Sequence, residues 1–381
     1  MRKTKFSAAL AAAILIASAV AALASDARPD RGSFFSQALG TEKLYRLYLP
    51  PSYFKDDSAR FPVVYLLHGY NFVRNDPAIE DNLEEEKHWP EQEQVPQIAD
   101  CLFTVADYDA LLACLKKNDV GLPEGVVNAL KAEYPECPLP LPEMIVVMPD
   151  GDSSFYINRR DGKKTWPPAD GPEFVDGIRK SATGQYETYI AEDLVGHIDA
   201  AYRTKADRSA RGIGGFSMGG VGSMNLLAGN PDVFSSVTSL SAMYTLSDMV
   251  SDSFFLSYMK DATPEIASIF CEDASKGTNC KIDKQYLRRN DPLPRLKNMK
   301  RKDVHIYFDA GHNDFFSGRN NFESFRKVSE ALAEMGIPAA PSQHIVQGDE
   351  LNGNGIHTAR YWRSRVGVIL TFHAKAFGLI K

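Results

Sequence analysis

Cysteine is scarce and poorly placed for metal. There are five in 381 residues, Cys101, Cys114, Cys137, Cys271 and Cys280, and none forms a Cys-x-x-Cys pair, which removes the commonest zinc and dithiol redox motifs. An excess of positive charge is missing too. The chain sets 43 Lys and Arg against 49 Asp and Glu, a formal net charge of −6, which is a poor balance for nucleic acid or an anionic membrane. Internal repeats are absent, and past the first two dozen residues no apolar run approaches the roughly 20 needed to span a bilayer. With 44% hydrophobic and 24% charged residues, the composition is that of an ordinary globular chain, neither disordered nor fibrous.

The first stretch, MRKTKFSAALAAAILIASAVAALAS, places Arg2, Lys3 and Lys5 before an apolar run that ends in Ala-Leu-Ala at Ala24. That three-part layout is a secretory leader, residues 1–24, with cleavage expected before Ser25. Its removal takes three cations, leaving 40 basic against 49 acidic residues, or −9. The expected location is secreted or periplasmic, with no membrane span after cleavage. In such an oxidising compartment Cys271 and Cys280 are expected to bridge, and two of Cys101, Cys114 and Cys137 to pair.

The remainder, 25–381, alternates strand-like and helical stretches. LYRLYL, FPVVYLLHG, MIVVMPDG, ARGIGGFS, SSVTSLSAM, VHIYFDAG and SQHIVQG read as strands, several of them continuously apolar as in a parallel sheet covered on both faces. Two stretches read as amphipathic helices: one carries Ile190, Leu194, Ile198 and Tyr202, the other Phe322, Phe325, Val328 and Leu332 before a terminating Gly336. The expected class is α/β, a doubly wound, mostly parallel sheet. One long interruption, about 71–141, is expected to be a helical insertion over the rim formed by the carboxyl ends of the strands. Trp89 and Trp166 are candidate apolar walls there.

Seven glycines crowd Arg211–Gly229, RGIGGFSMGGVGSMNLLAG. At its centre Gly215-Phe216-Ser217-Met218-Gly219 is a G-x-S-x-G elbow, in which small residues let a strand and a helix approach while the turn lifts the serine hydroxyl above the sheet. A serine hydroxyl is a weak nucleophile and needs a base. In the chain order serine, acid, histidine the base comes late, which leaves His344, His357 and His373. His344 and His373 fall in apolar runs and read as packed side chains, whereas His357 stands in the glycine-rich GDELNGNGIHT. For the acid, Asp314 lies in the loop beyond VHIYFDAG while Asp309 still belongs to the strand, so Asp314 is the expected partner and Asp309 a structural hydrogen bonder. An oxyanion hole is expected from the amides of Met218 and Tyr70, the latter just after the YLLHG strand, with His68 bracing that loop. His312 has no second ligand cluster, so neither metal nor cofactor is expected.

VVYLLHGY, VPQIADCL, MIVVMPDG, SFYIN, YETYIAEDLVGHIDAAYRT, GFSMGG, AGHNDFF and GIHTARYW together resemble the esterase D-like family of α/β-hydrolases over most of the chain. That family includes feruloyl and acetylxylan esterases, S-formylglutathione hydrolases, siderophore esterases and mycolyltransferases. By position the resemblance implies an α/β-hydrolase fold, a Ser217, Asp314, His357 triad and a Tyr70–Met218 hole. The stretch Phe103 to Leu141 departs from the family's short link. The expected function is an exported serine carboxylic-ester hydrolase working through an acyl-enzyme on feruloyl-type or acetyl esters, small or polysaccharide-linked. Acyl transfer of the mycolyltransferase type uses the same triad and stays open, as do a non-catalytic binding module and the oligomeric state.

Overall fold

Runs of Val, Ile and Leu without polar alternation need apolar cover on both faces, and the computed structural model provides it. Residues 30–70, 88–152, 154–159, 165–166, 174–175, 178–179, 183–245, 272, 281–318, 322–338 and 345–381 are described. The expected leader, Cys271, Cys280 and His344 lie outside them, as does the side chain of Trp166. Eight strands, β1 (Arg31–Ser36), β2 (Thr41–Tyr48), β3 (Val63–Leu67), β4 (Ile145–Pro149), β5 (Arg211–Phe216), β6 (Ser236–Leu240), β7 (His305–Gly311) and β8 (Ile345–Val346), form one sheet. Its order is β1-β2-β4-β3-β5-β6-β7-β8. The β1–β2 and β2–β4 pairs are antiparallel, and the other pairs are parallel.

Seven of these strands answer the seven apolar runs. The eighth, β1, is RGSFFS, largely exposed or half-exposed at the sheet edge, and it carries too little apolar signal to be read from sequence.

The two-residue period of a strand divides the core in two. From β3, Val63, Tyr65 and Leu67 join one apolar cluster, while Val64 and Leu66 join the other. The first cluster is covered by α4, which runs as Tyr186–Thr188, Tyr189–Leu194 and Val195–Ala201, and by α5 (Met218–Gly229), α7 (Pro292–Lys297) and α8 (Glu323–Glu334), the short α6 (Lys284–Arg289) packing beside α7. The middle segment of α4 is a π-helical turn. Ile190, Leu194 and Ile198 are buried as their spacing requires, and Gly336 ends α8 at φ 67°.

The second cluster is covered by α1 (Val95–Leu102), α2 (Tyr108–Lys117), α3 (Pro123–Glu133) and the long α9 (Ala359–Ala376). These first three helices belong to the insertion, which is described from residue 88 onward and opens there with a π-helical turn, His88–Gln92. A Cys101–Cys114 disulfide ties α1 to α2, and Cys137 is free and half-buried. The insertion reaches the rim from the flank: Gly125 of α3 lies so close to the Leu351 carbonyl that a Cβ there would sit 2.0 Å from it. Glu133, at the end of α3, pairs with the buried Arg365 of α9 at 2.8 Å. As described, α3 backs the turn Glu350–Gly355, which leads into His357. Trp89 is not a pocket wall. It is 1% exposed and packs edge-on against Phe216, ring centroids 4.9 Å apart.

At the opposite end of the sheet His373 is fully buried, Nδ1 within 2.8 Å of Ser236 Oγ and Nε2 within 3.2 Å of Thr238 Oγ1. Burial, with His305 nearby, lowers its pKa from 6.5 to about 3. Between those values the unfolded chain binds a proton that the folded site refuses, so stability falls as pH drops through that window. Urea midpoints measured from pH 7 to pH 4 should fall for the native chain and fall less for His373→Gln. Parallel curves for the two proteins would exclude His373 as the source.

Candidate active site

At the end of β5 the chain turns directly into α5, with Ser217 at the corner in a backbone conformation, φ 54° and ψ −119°, that side-chain-bearing residues rarely adopt. The glycines on either side explain how this is tolerated. A Cβ on Gly219 would lie 2.2 Å from the Leu67 carbonyl oxygen, and one on Gly215 would lie 2.4 Å from that of Gly219. Strand, helix and the end of β3 therefore meet backbone to backbone. The Ser217 amide donates to Leu240 O at 2.9 Å, fixing the corner to β6 as well.

The late loops bring their polar groups to this corner. His357 Nε2 lies 2.9 Å from Ser217 Oγ, and its Nδ1 lies 2.9 Å from Asp314 Oδ2. The other oxygen of Asp314 accepts from the amides of Phe316 and Ser317, each at 2.9 Å. Asp314 as a whole is 2% exposed. Burial alone would raise its pKa, but the adjacent His357 ring and these hydrogen bonds outweigh it and hold the group below the ordinary carboxylate value. With Nδ1 turned to a carboxylate, Nε2 can present its lone pair to a serine hydroxyl.

Aromatic rings hold the imidazole in place. Trp362 stacks on Phe216, centroids 3.9 Å apart and planes 13° from parallel, and meets His357 edge-on at 5.0 Å. Phe316 covers the imidazole at 4.7 Å. The residue before the serine and the second residue after the acid thus both belong to the aromatic packing around His357. Neither Trp362 nor Phe316 was expected here. Their signal in the sequence is only adjacency, Phe316 two residues after Asp314 and Trp362 one helical turn past the His357 loop.

Beside the serine runs the turn after β3. The space a Gly69 Cβ would occupy is 3.3 Å from Ser217 Cβ, so the turn at Gly69 lies against the serine. Met218 begins α5, where amides have no partner within the helix. His68 is 1% exposed; its Nδ1 faces Gly69 O at 2.7 Å and its Nε2 faces the Gly151 amide at 2.8 Å. Behind Gly151, the buried Lys43 pairs with Asp150 at 3.0 Å and Asp152 at 2.7 Å.

The structure separates the two candidate acids. Asp309 is fully buried on β7, accepting from Tyr307, Tyr361 and Arg365 at 2.6, 3.0 and 2.7 Å, and does not join His357. Among the described residues no cluster of His, Cys, Asp and Glu could hold a metal ion, and no helix is long and apolar enough to cross a membrane.

Residues 141–373 match the Esterase family model, whose description reads "Putative esterase". No curated protein sequence matches the chain. Among solved structures, the fold is similar to that of a ferulic acid esterase, with 20% identity, 91% of this chain and 97% of that one covered, and a TM-score of 0.53. It is similar also to an S-formylglutathione hydrolase from Agrobacterium tumefaciens, at 16% identity, 93% and 98% coverage and a TM-score of 0.55. A third is FphF of Staphylococcus aureus, a fluorophosphonate-binding serine hydrolase, at 14%, 90% and 96%, with a TM-score of 0.55.

The close approach at the elbow is testable against a glycine in open space. Gly219→Ala should lower stability by about 1–3 kcal/mol through overpacking. Gly196→Ala, in α4 with nothing within 4 Å of the added Cβ, should raise it by about 0.5–1 kcal/mol. Denaturant midpoints of both variants measure this, and equal shifts would refute the steric account.

Proposed function

From the premise that the chain belongs to the Esterase family, we propose an exported serine carboxylic-ester hydrolase working through a Ser217, His357, Asp314 triad. The observation that carries the reading is the pair of 2.9 Å contacts linking serine to histidine and histidine to acid. Ser217 Oγ attacks the ester carbonyl as His357 Nε2 takes its proton. Asp314, ionised and anchored by two backbone amides, keeps Nδ1 protonated and stabilises the imidazolium. Negative charge on the carbonyl oxygen is met by the amides of Tyr70 and Met218. Collapse returns the proton to the leaving alkoxide and leaves an acyl-enzyme, which water then cleaves by the same route.

Feruloyl-type and acetyl esters, free or attached to polysaccharide, are the substrates proposed, and no cofactor is required. Support comes from the leader-like layout of residues 1–24, from the Cys101–Cys114 disulfide, and from the ferulic acid esterase among the similar folds.

A panel running from acetyl to hexanoyl to hydroxycinnamoyl esters, assayed on the chain beginning at Ser25, tests the substrate class. Ser217→Ala and His357→Ala should each lower kcat by about 10⁴-fold or more, with Asp314→Asn near 10⁴. Asp309→Asn should cost stability more than turnover. Fluorophosphonate should label Ser217. Undiminished turnover in Ser217→Ala would rule out the mechanism, and formation of a new ester on adding alcohol would reassign deacylation to acyl transfer.

A further inference from the structure

The peptide joining Gly69 to Tyr70 presents two groups on one rigid plane. Its N–H is the proposed donor to the oxyanion, and its C=O faces His68 Nδ1 at 2.7 Å. Because a trans peptide holds the two groups antiparallel, whatever fixes the carbonyl also aims the amide.

Which nitrogen of His68 carries hydrogen is decided on the far side of the ring. The Gly151 amide approaches Nε2 at 2.8 Å, and a backbone N–H can only donate. Nε2 must therefore offer its lone pair, which leaves the hydrogen on Nδ1, where it donates to Gly69 O. A proton added at Nε2 would set donor against donor.

Gly151 is itself immobilised. Its carbonyl accepts from Ser154 Oγ at 2.6 Å, and the Asp152 amide donates to Asp150 Oδ1 at 3.0 Å. Lys43, 3% exposed at its side chain, binds both carboxylates, and Tyr186 also donates to Asp152. Tyr156 donates to the His68 carbonyl at 3.1 Å and fills the space a Gly151 Cβ would need. A buried lysine with two aspartates is a costly way to hold a turn, and this turn is itself buried. Here it sets the position of one amide, and that amide sets a tautomer.

We infer that His68 is a positioning residue for the oxyanion hole: the Gly151 amide selects its Nδ1–H tautomer, and that N–H fixes the Gly69–Tyr70 peptide so that the Tyr70 amide faces the developing charge. The inference rests on the serine mechanism proposed above. His68 touches neither nucleophile nor base, so its effect belongs to the transition state and not to substrate binding.

Two conservative replacements divide its two bonds. His68→Asn places an amide group where Nδ1 stands and keeps a donor for Gly69 O. His68→Gln reaches the Nε2 position, keeping an acceptor for Gly151 and losing the bond to Gly69. With a hydroxycinnamoyl or acetyl ester, whichever the wild type turns over faster, Gln and Ala should lose about 10²-fold in kcat with KM nearly unchanged, and Asn at least about 10-fold less. A residue that merely braced the loop would make Asn and Gln equally damaging, in step with their thermal midpoints. Equal losses, or losses in KM alone, would overturn the assignment. Fluorophosphonate labelling of the wild type keeps the two proposals apart, because absence of label on Ser217 sinks the serine mechanism, whereas label with equal Asn and Gln losses sinks only the role of His68. Should the Gln variant fail to fold, histidine-selective ¹⁵N spectra of the wild type, assigned with His68→Asn, decide the matter. The Nδ1–H tautomer is expected, and a ring protonated at Nε2 would overturn it.

Discussion

The carbonyl of Leu67 is the point on which the site is built. It lies at the end of β3, and both glycines of the elbow are cut away to fit against it. A side chain at either position would push β5 and α5 from β3 and let the corner at Ser217 relax toward ordinary dihedrals. With the glycines in place, β3 brings Gly69 against the serine, and β6 clamps the corner through Leu240. Three parallel strands end within contact of one another, and the loops from β7 and β8 need only to reach the same spot. The strain at Ser217 is offset by the rigidity of everything around it.

Two aspartates five residues apart show how environment divides one chemistry into two uses. Asp309 faces the permanent cation of Arg365 and two phenols, so its charge is already answered. Asp314 has two backbone amides and the His357 ring nitrogen Nδ1. Its charge is satisfied enough to stay ionised, and still exposed to any positive charge that develops on the imidazole. An acid locked to arginine would have little response left to give.

Much of this was legible in the sequence where chemistry restricts the choice of residue. The continuous apolar runs gave seven strands because a sheet covered on both faces permits little else. Gly215, Ser217 and Gly219 betray the elbow because no other residues fit it, and a loop histidine among glycines stands apart from one in an apolar run. His373 illustrates the second case, buried between two hydroxyls. What escaped was relational. The edge strand β1 has a weak pattern because it is half exposed, and Trp89 carries no mark that distinguishes a buried ring from a pocket wall. Amphipathic helices in the insertion announce an apolar face without naming the surface that receives it, which proved to be α9. The pairing of His68 with Gly151 joins residues 83 apart in the chain, and nothing local records it.

Glu133 ends the last helix of the insertion, yet its carboxylate is bound to Arg365, which is bound in turn to Asp309 on the strand that leads to Asp314. The insertion is therefore not a module that can be lifted out. A shorter relation of this chain, lacking α3, would leave Arg365 with one carboxylate where it now has two, in a place too dry for water to make up the difference. The length of the link between β3 and β4 and the identity of position 365 are thus a single trait. In grafting a loop from another esterase, the arginine has to be exchanged with the helix that answers it.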